Sequence, residues 1–86
     1  MIKLLKVTIC EGVIMKYAQR IRGLREDHDL TQKELALILK TEQSYYSKYE
    51  RGIRPLPIEH LMTLCRYYNV SADYILGFIN DPRPLK

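Results

Sequence analysis

The 23-residue stretch from Leu30 to Gly52 constrains this chain more than any other, because it carries its own start, turn and stop signals. Thr31 is an N-cap residue type, and Glu34 three positions on completes a capping box. Leu35, Ala36 and Leu39 then recur at helical spacing on one face. This first of two short helices is expected to stop near Lys40-Thr41, with Thr41 capping the second. Tyr46 and Tyr49 turn the second helix back to the core, which leaves Gln43, Ser44, Tyr45, Ser47 and Lys48 outside. Gly52 supplies the left-handed residue that ends a helix. A helix braced from behind by another, with amide, hydroxyl and cationic side chains at its N-terminal end, suits a DNA major groove.

Residues 16–77 resemble the phage-repressor and Cro-type helix-turn-helix family, also called the xenobiotic-response-element type. The resemblance is carried by Leu30-Thr31-Gln32, Glu34-Leu35-Ala36 and Ser47-Lys48-Tyr49-Glu50-Arg51-Gly52. It closes with Tyr68-Asn69-Val70-Ser71 and Asp73-Tyr74-Ile75-Leu76-Gly77. The resembling region, 16–77, covers 62 of 86 positions, and the blocks follow one another in order within it. The resemblance implies an all-α, compact five-helix, lambda-repressor-like domain. Two positions depart from the family pattern: Lys40 stands where the turn commonly has glycine, and Glu42 where serine or threonine is commoner. The first requires a left-handed lysine or a different local path; the second places a carboxylate where a helix N-terminus favours it.

Eighty-six residues with 47% apolar content bound the chain to one small folded domain. A net charge of +4 fits a nucleic-acid partner without requiring one. The apolar runs are too short to span a bilayer, so no membrane role and a cytoplasmic location are the expectation. Two cysteines, Cys10 and Cys65, are too few and too distant for a disulfide framework or a zinc site; Cys65 is expected as a small buried hydrophobe.

The expected organisation is an extension at 1–15, the helix-turn-helix domain at 16–79 and a flexible tail at 80–86. The β-branched run Ile2–Cys10 reads either as a strand, pairing across a dimer, or as a frayed arm. A third reading is genetic: Glu11-Gly12-Val13-Ile14-Met15 can be encoded by GAAGGAGTGATTATG, a ribosome-binding sequence before a start codon, which makes Met15 the natural start. The first helix is expected over Lys16–Asp27, burying Tyr17, Ile21, Leu24 and Arg25 and leaving Arg20, Arg22 and Glu26 in solvent. Asp29 then takes a positive-φ position. Beyond Ile53–Pro57, with Pro57 suited to a first helical turn, Ile58, Leu61, Met62, Leu64, Cys65 and Tyr68 form an apolar stripe that ends at Asn69. Ser71 caps a short helix over Ala72–Leu76, closed by Gly77. Tyr46, Tyr49 and Tyr68 read as core and Tyr67 as surface.

Gln43 and Ser44 are the expected base contacts: glutamine can bond adenine N6 and N7 together, and serine is adaptable. Tyr45, suited to a thymine methyl, and Lys48, suited to guanine or a phosphate, share that face. In the resembled family the places of Gln43, Ser44 and Lys48 read bases, and the place of Gln32 anchors the sugar-phosphate backbone. The residues give Gln32 the same role, since its amide and the free N–H groups of a helix start can hold a phosphate oxygen. Ser47, Arg51 and Arg54 are the other expected backbone contacts, although each arginine alone is equally a solvated surface charge. The family also uses the pair at Arg25 and Glu50 to tie the first helix to the end of the third. No glycine-rich phosphate loop, nucleophile elbow or paired-histidine helix is present, so no catalytic residue, metal, cofactor or small-molecule ligand is expected.

The reading is a regulator of transcription, a repressor by operator occupancy, bound as a homodimer to a two-fold site in double-stranded DNA. The rivals are an antitoxin or restriction-modification controller acting on its own operon, and a protein-interaction module of the same fold. All the blocks of the resemblance lie at or after Lys16. A chain beginning at Met15 is therefore expected to keep its thermal transition and its specific DNA binding; loss of the folded state would make the first residues part of the core.

Overall fold

The computed structural model describes residues 16–84. Helix α1 occupies residues 16–27, followed by α2 Gln32–Leu39, α3 Gln43–Glu50, α4 Ile58–Tyr68 and α5 Ala72–Leu76. No strand occurs among the described residues, so the fold is the expected all-α, five-helix arrangement. The strand or arm expected at 1–15 lies outside the described residues.

Each helix sends one large side chain to the centre. Ile21, Leu35, Tyr46, Leu64 and Ile75, one from each of α1 to α5, are the largest fully buried side chains. They belong to one cluster with Tyr17, Leu24, Leu39, Tyr49, Cys65, Tyr68 and Val70. Burying such a side chain contributes about 1.5–3 kcal/mol relative to exposure. With one central anchor per helix, truncating any of them loosens a whole element. Cys65 and the tyrosines divide as expected, with Tyr67 48% exposed on the surface.

All five helices close in the same way. A residue with positive φ follows each: Asp29 (55°), Lys40 (58°), Gly52 (71°), Asn69 (54°) and Gly77 (86°). The next N–H then bonds the carbonyl five residues back: Leu30 to Arg25 at 3.0 Å, Thr41 to Ala36 at 2.9 Å, Ile53 to Lys48 at 3.0 Å, Val70 to Cys65 at 3.1 Å and Phe78 to Asp73 at 2.9 Å. This is the Schellman closure, which satisfies carbonyls orphaned at a helix end. The lysine at the helix-turn-helix corner thus takes the left-handed route (φ 58°, ψ 44°) rather than a new path. At Gly77 an added Cβ would lie 2.7 Å from Lys16 Cδ, so a side chain there would have to displace the exposed Lys16 as well as adopt a positive φ.

The start signals are less uniform. The Thr31–Glu34 capping box is complete: Thr31 Oγ1 accepts from Glu34 N–H at 3.1 Å and Glu34 Oε1 accepts from Thr31 N–H at 2.9 Å. Ser71 caps α5 through Tyr74 N–H at 3.2 Å. Thr41, however, does not cap α3. The N-cap is Glu42, without a side-chain bond: Thr41 still belongs to the closure of α2, so α3 starts one residue later than expected. Pro57 is likewise the N-cap of α4 rather than part of its first turn.

Two further expectations are corrected. The stripe on α4 is buried only at Leu64, Cys65 and Tyr68, whereas Ile58 is 70% and Met62 48% exposed. The core is filled mainly from the C-terminal half of this helix, with Leu61 packed against its edge, and the face that carries Ile58 and Met62 overhangs. Arg20 is not in free solvent: its guanidinium lies 4.2 Å from the Tyr74 ring centroid and Nη1 donates to Ile79 O at 3.3 Å. The C-terminal segment is tied at Arg83 as well, whose carbonyl accepts from Ser71 N–H at 2.8 Å. Among the described residues no helix is long and apolar enough to cross a membrane.

A non-glycine residue held in the left-handed region costs about 1–2 kcal/mol. Lys40→Gly is therefore expected to stabilise the domain by roughly 0.5–1 kcal/mol after the added unfolded-state entropy, while Lys40→Val destabilises it. Urea denaturation midpoints check both; a neutral Lys40→Val would mean that the corner does not depend on the left-handed residue.

Candidate nucleic-acid interface

The face of α3 that leaves the core is prepared by a buried ion pair behind it. Arg25, on α1, reaches the last residue of α3: Nε donates to Glu50 Oε2 at 2.7 Å and Nη2 to Oε1 at 3.1 Å. Arg25 Nη1 also donates to Leu30 O at 2.9 Å, on the connection from α1 to α2. Gln32, in the first turn of α2, gives its amide Nε2 to Glu50 Oε1 at 3.1 Å. One carboxylate, its side chain 2% exposed, thus receives donors from α1 and α2 and fixes both against α3. A carboxylate at a helix C-terminus opposes the dipole, so Glu50 depends on these partners.

Its protonation reflects the same contest. Burial pushes the Glu50 carboxyl up, but the hydrogen bonds from Arg25 and Gln32 and the Arg25 charge outweigh it, holding the group below the usual glutamate value. Bonding to Glu50 holds Arg25 above its ordinary value in turn. The Tyr46 hydroxyl is buried beside Glu50 without a well-formed hydrogen bond of its own. Burial, with the neighbouring negative charge, pushes it well above the tyrosine range.

In front of this lock lies an open concavity of about 470 Å³, lined by Gln32, Gln43, Ser44, Ser47, Lys48 and Arg51. The structure therefore brings six of the residues singled out from sequence around one hollow, where the start of α2 meets α3. Tyr45 and Arg54 adjoin it. The Arg54 guanidinium stacks 4.6 Å from the Tyr45 ring centroid, and Lys48 Nζ lies 5.8 Å from the same ring. Sequence reasoning missed this stack, because Arg54 reaches Tyr45 only across the reversal at Gly52. The Gln32 amide, expected to hold a phosphate oxygen, already donates one hydrogen to Glu50. The first turn of α3 holds no acidic residue, while Lys48 lies in its last turn. The hollow thus offers amides, hydroxyls and cations together, a donor set suited to phosphate oxygens and base edges.

Comparison with known proteins gives the same outline. Residues 21–75 match the family model described as helix-turn-helix. The chain is 44% identical over 68 residues to the uncharacterized HTH-type transcriptional regulator YobD of Bacillus subtilis, covering 79% of this chain and 61% of that one. It is 38% identical to the HTH-type transcriptional regulator ImmR of the same organism, over 73% of this chain and 50% of ImmR. It is 37% identical to the antitoxin PezA of Streptococcus pneumoniae, over 69% of this chain and 37% of PezA. Each of these relatives is thus spanned over less than two thirds of its length. Among solved structures, the restriction-modification controller protein C.AhdI from Aeromonas hydrophila superposes with a TM-score of 0.65 at 27% identity, covering 72% of this chain and 94% of that one.

Removing one partner of a buried ion pair typically costs about 3–5 kcal/mol. Arg25 is partly exposed, so Arg25→Met is expected to cost roughly 3 kcal/mol, the lower end of that range. Because the folded-state pKa of Glu50 is depressed, its contribution is complete above the ordinary glutamate range and is lost as pH falls through the folded value. The stability gap between wild type and Glu50→Gln should therefore be widest at neutral pH and close on acidification. Glu34, lowered by its bonds to Thr31, leaves a residual slope in both proteins. A gap that does not change with pH in denaturation curves would contradict this.

Proposed function

The chain belongs to the helix-turn-helix family, and from that membership we propose that it is a sequence-specific, double-stranded-DNA-binding regulator of transcription. It works as a homodimer on a two-fold operator, with α3 in the major groove, and represses by occupancy. The observation that carries this reading is the single hollow that gathers Gln32, Gln43, Ser44, Ser47, Lys48 and Arg51 at the α2–α3 corner. A recognition helix reads bases from its N-terminal end while the preceding helix crosses the backbone.

Gln43 and Ser44, both exposed in the first turn of α3, meet base edges; a glutamine bonds adenine N6 and N7 together. Lys48, one turn on, takes guanine O6 and N7 or a nearby phosphate. Gln32, Ser47, Arg51 and Arg54 hold phosphates on either side and set the register, which carries affinity rather than sequence choice. Gln32 enters this set with its orientation already fixed by Glu50. Tyr45 meets a base or backbone atom at its edge while its face supports Arg54.

A second reading shares the DNA chemistry and differs in the gene controlled: an antitoxin or a restriction-modification controller acting on its own operon. The similarity to PezA and the superposition on C.AhdI favour it. A protein-interaction module without DNA binding is disfavoured by the intact amide, hydroxyl and cationic set.

Base and phosphate contacts separate in one titration series. Gln43→Ala should weaken binding to the operator by about 1–3 kcal/mol and leave random DNA unchanged. Arg54→Ala should weaken both kinds of DNA alike and shallow the salt slope by about one unit. Fluorescence anisotropy with the gene's own upstream region, at several salt concentrations, measures both. An unchanged operator-to-random ratio for Gln43→Ala would remove base reading from that residue.

A further inference from the structure

We infer that a second copy of this chain docks on the overhanging face of α4, the two helices crossing antiparallel about a two-fold axis at Met62. The exposed side of α4 carries Ile58 and Met62, at 70% and 48% exposure. Beside them opens an apolar groove of about 400 Å³, whose lining also includes Leu61, Cys65, Arg66 and Ala72. Protruding apolar side chains and a groove to receive them therefore sit on one patch. That is the requirement of an isologous interface, in which the same surface supplies both halves of the contact.

Charge selects the occupant and its direction. Glu59 and Arg66, both exposed, lie two helical turns apart on the same edge of this face, placed evenly about Met62 and Thr63. They are too far apart on one helix to pair with each other. In an antiparallel crossing centred between them, Glu59 of each copy meets Arg66 of the other, giving two equivalent ion pairs. A parallel crossing brings no Glu59 level with an Arg66 of the other copy and forms neither pair.

The connection to α3 agrees with the spacing of a two-fold DNA site, and here the inference rests on the proposed function. Recognition helices one DNA turn apart lie about 17 Å either side of the axis. The stretch from Arg51 to Ile58 can reach at most about 25 Å, so an axis at α4 is within reach of both copies of α3. Stable protein interfaces bury roughly 1,200–2,000 Å². A patch confined to one 11-residue helix is smaller, so the free dimer is weak and concentration-dependent.

Sedimentation equilibrium of the full chain, without DNA, tests this apart from the DNA reading. The wild type is expected to move from one copy to two as concentration rises, and Met62→Glu to remain a monomer over the same range. Glu59→Arg and Arg66→Glu should each weaken the dimer by roughly tenfold or more, by setting like charges together. The double variant should recover most of that loss. Should Met62→Glu fail to fold, the charge series, on exposed positions, decides alone. A dimer unaffected by Met62→Glu, or a double variant no better than the single ones, overturns the inference. So does a wild type that is monomeric throughout. A dimer that obeys the charge swap but ignores DNA would leave this inference standing and remove the proposed function.

Discussion

The Glu50 carboxylate is the constraint on which the rest of this structure depends. It is a charge with almost no contact with water, held at the end of a helix whose dipole opposes it. It is tolerable only because Arg25 meets both of its oxygens and Gln32 adds a third bond. Those donors come from α1 and α2, so the cost of burying the charge is recovered only when three helices are in register. A buried ion pair adds little net stability over an apolar substitute. Its value here is orientation, since the same three bonds fix the tilt of α3 and the position of Gln32 at the hollow.

Around this lock the fold uses short elements and sharp stops. Helices of 8, 8, 11 and 5 residues are too short to persist alone in water. They are held by one central side chain each, and ended by the same left-handed closure. Three of those closures use Asp29, Lys40 and Asn69 instead of glycine, so the chain carries backbone strain at three of its five corners. Lys40 is the most consequential of these, because its corner sets α2 against α3 and so determines whether Gln32 and Gln43 face the same hollow.

Most of the fold was legible in the sequence because its signals are local. The capping box, the left-handed residues at Asp29, Gly52, Asn69 and Gly77, and the helical spacing of Tyr46, Tyr49 and Cys65 all act within a few residues. What was not legible depends on partners distant in sequence. Periodicity gave α4 an apolar stripe but not the extent of its neighbours, so Ile58 and Met62 read as core although nothing described covers them. Arg20 read as solvated because Tyr74 and Ile79 approach it only through the fold. Thr41 read as a cap because its backbone role in closing α2 leaves no mark on residue type. At the candidate site, residue types identified a polar face on α3. The Gln32–Glu50 bond and the Tyr45–Arg54 stack that arrange it required the structure.

The central claim is that α3 and the start of α2 form one DNA-reading surface, oriented from behind by Arg25 and Glu50. Amide chemical-shift mapping of the isotope-labelled chain, titrated with its own upstream DNA, tests it most directly. The largest shifts are expected on Gln32, Gln43, Ser44, Ser47, Lys48 and Arg51, with Arg20 and Tyr74, stacked between α1 and α5, unmoved. Shifts concentrated elsewhere, with α3 silent at saturating DNA, would contradict it.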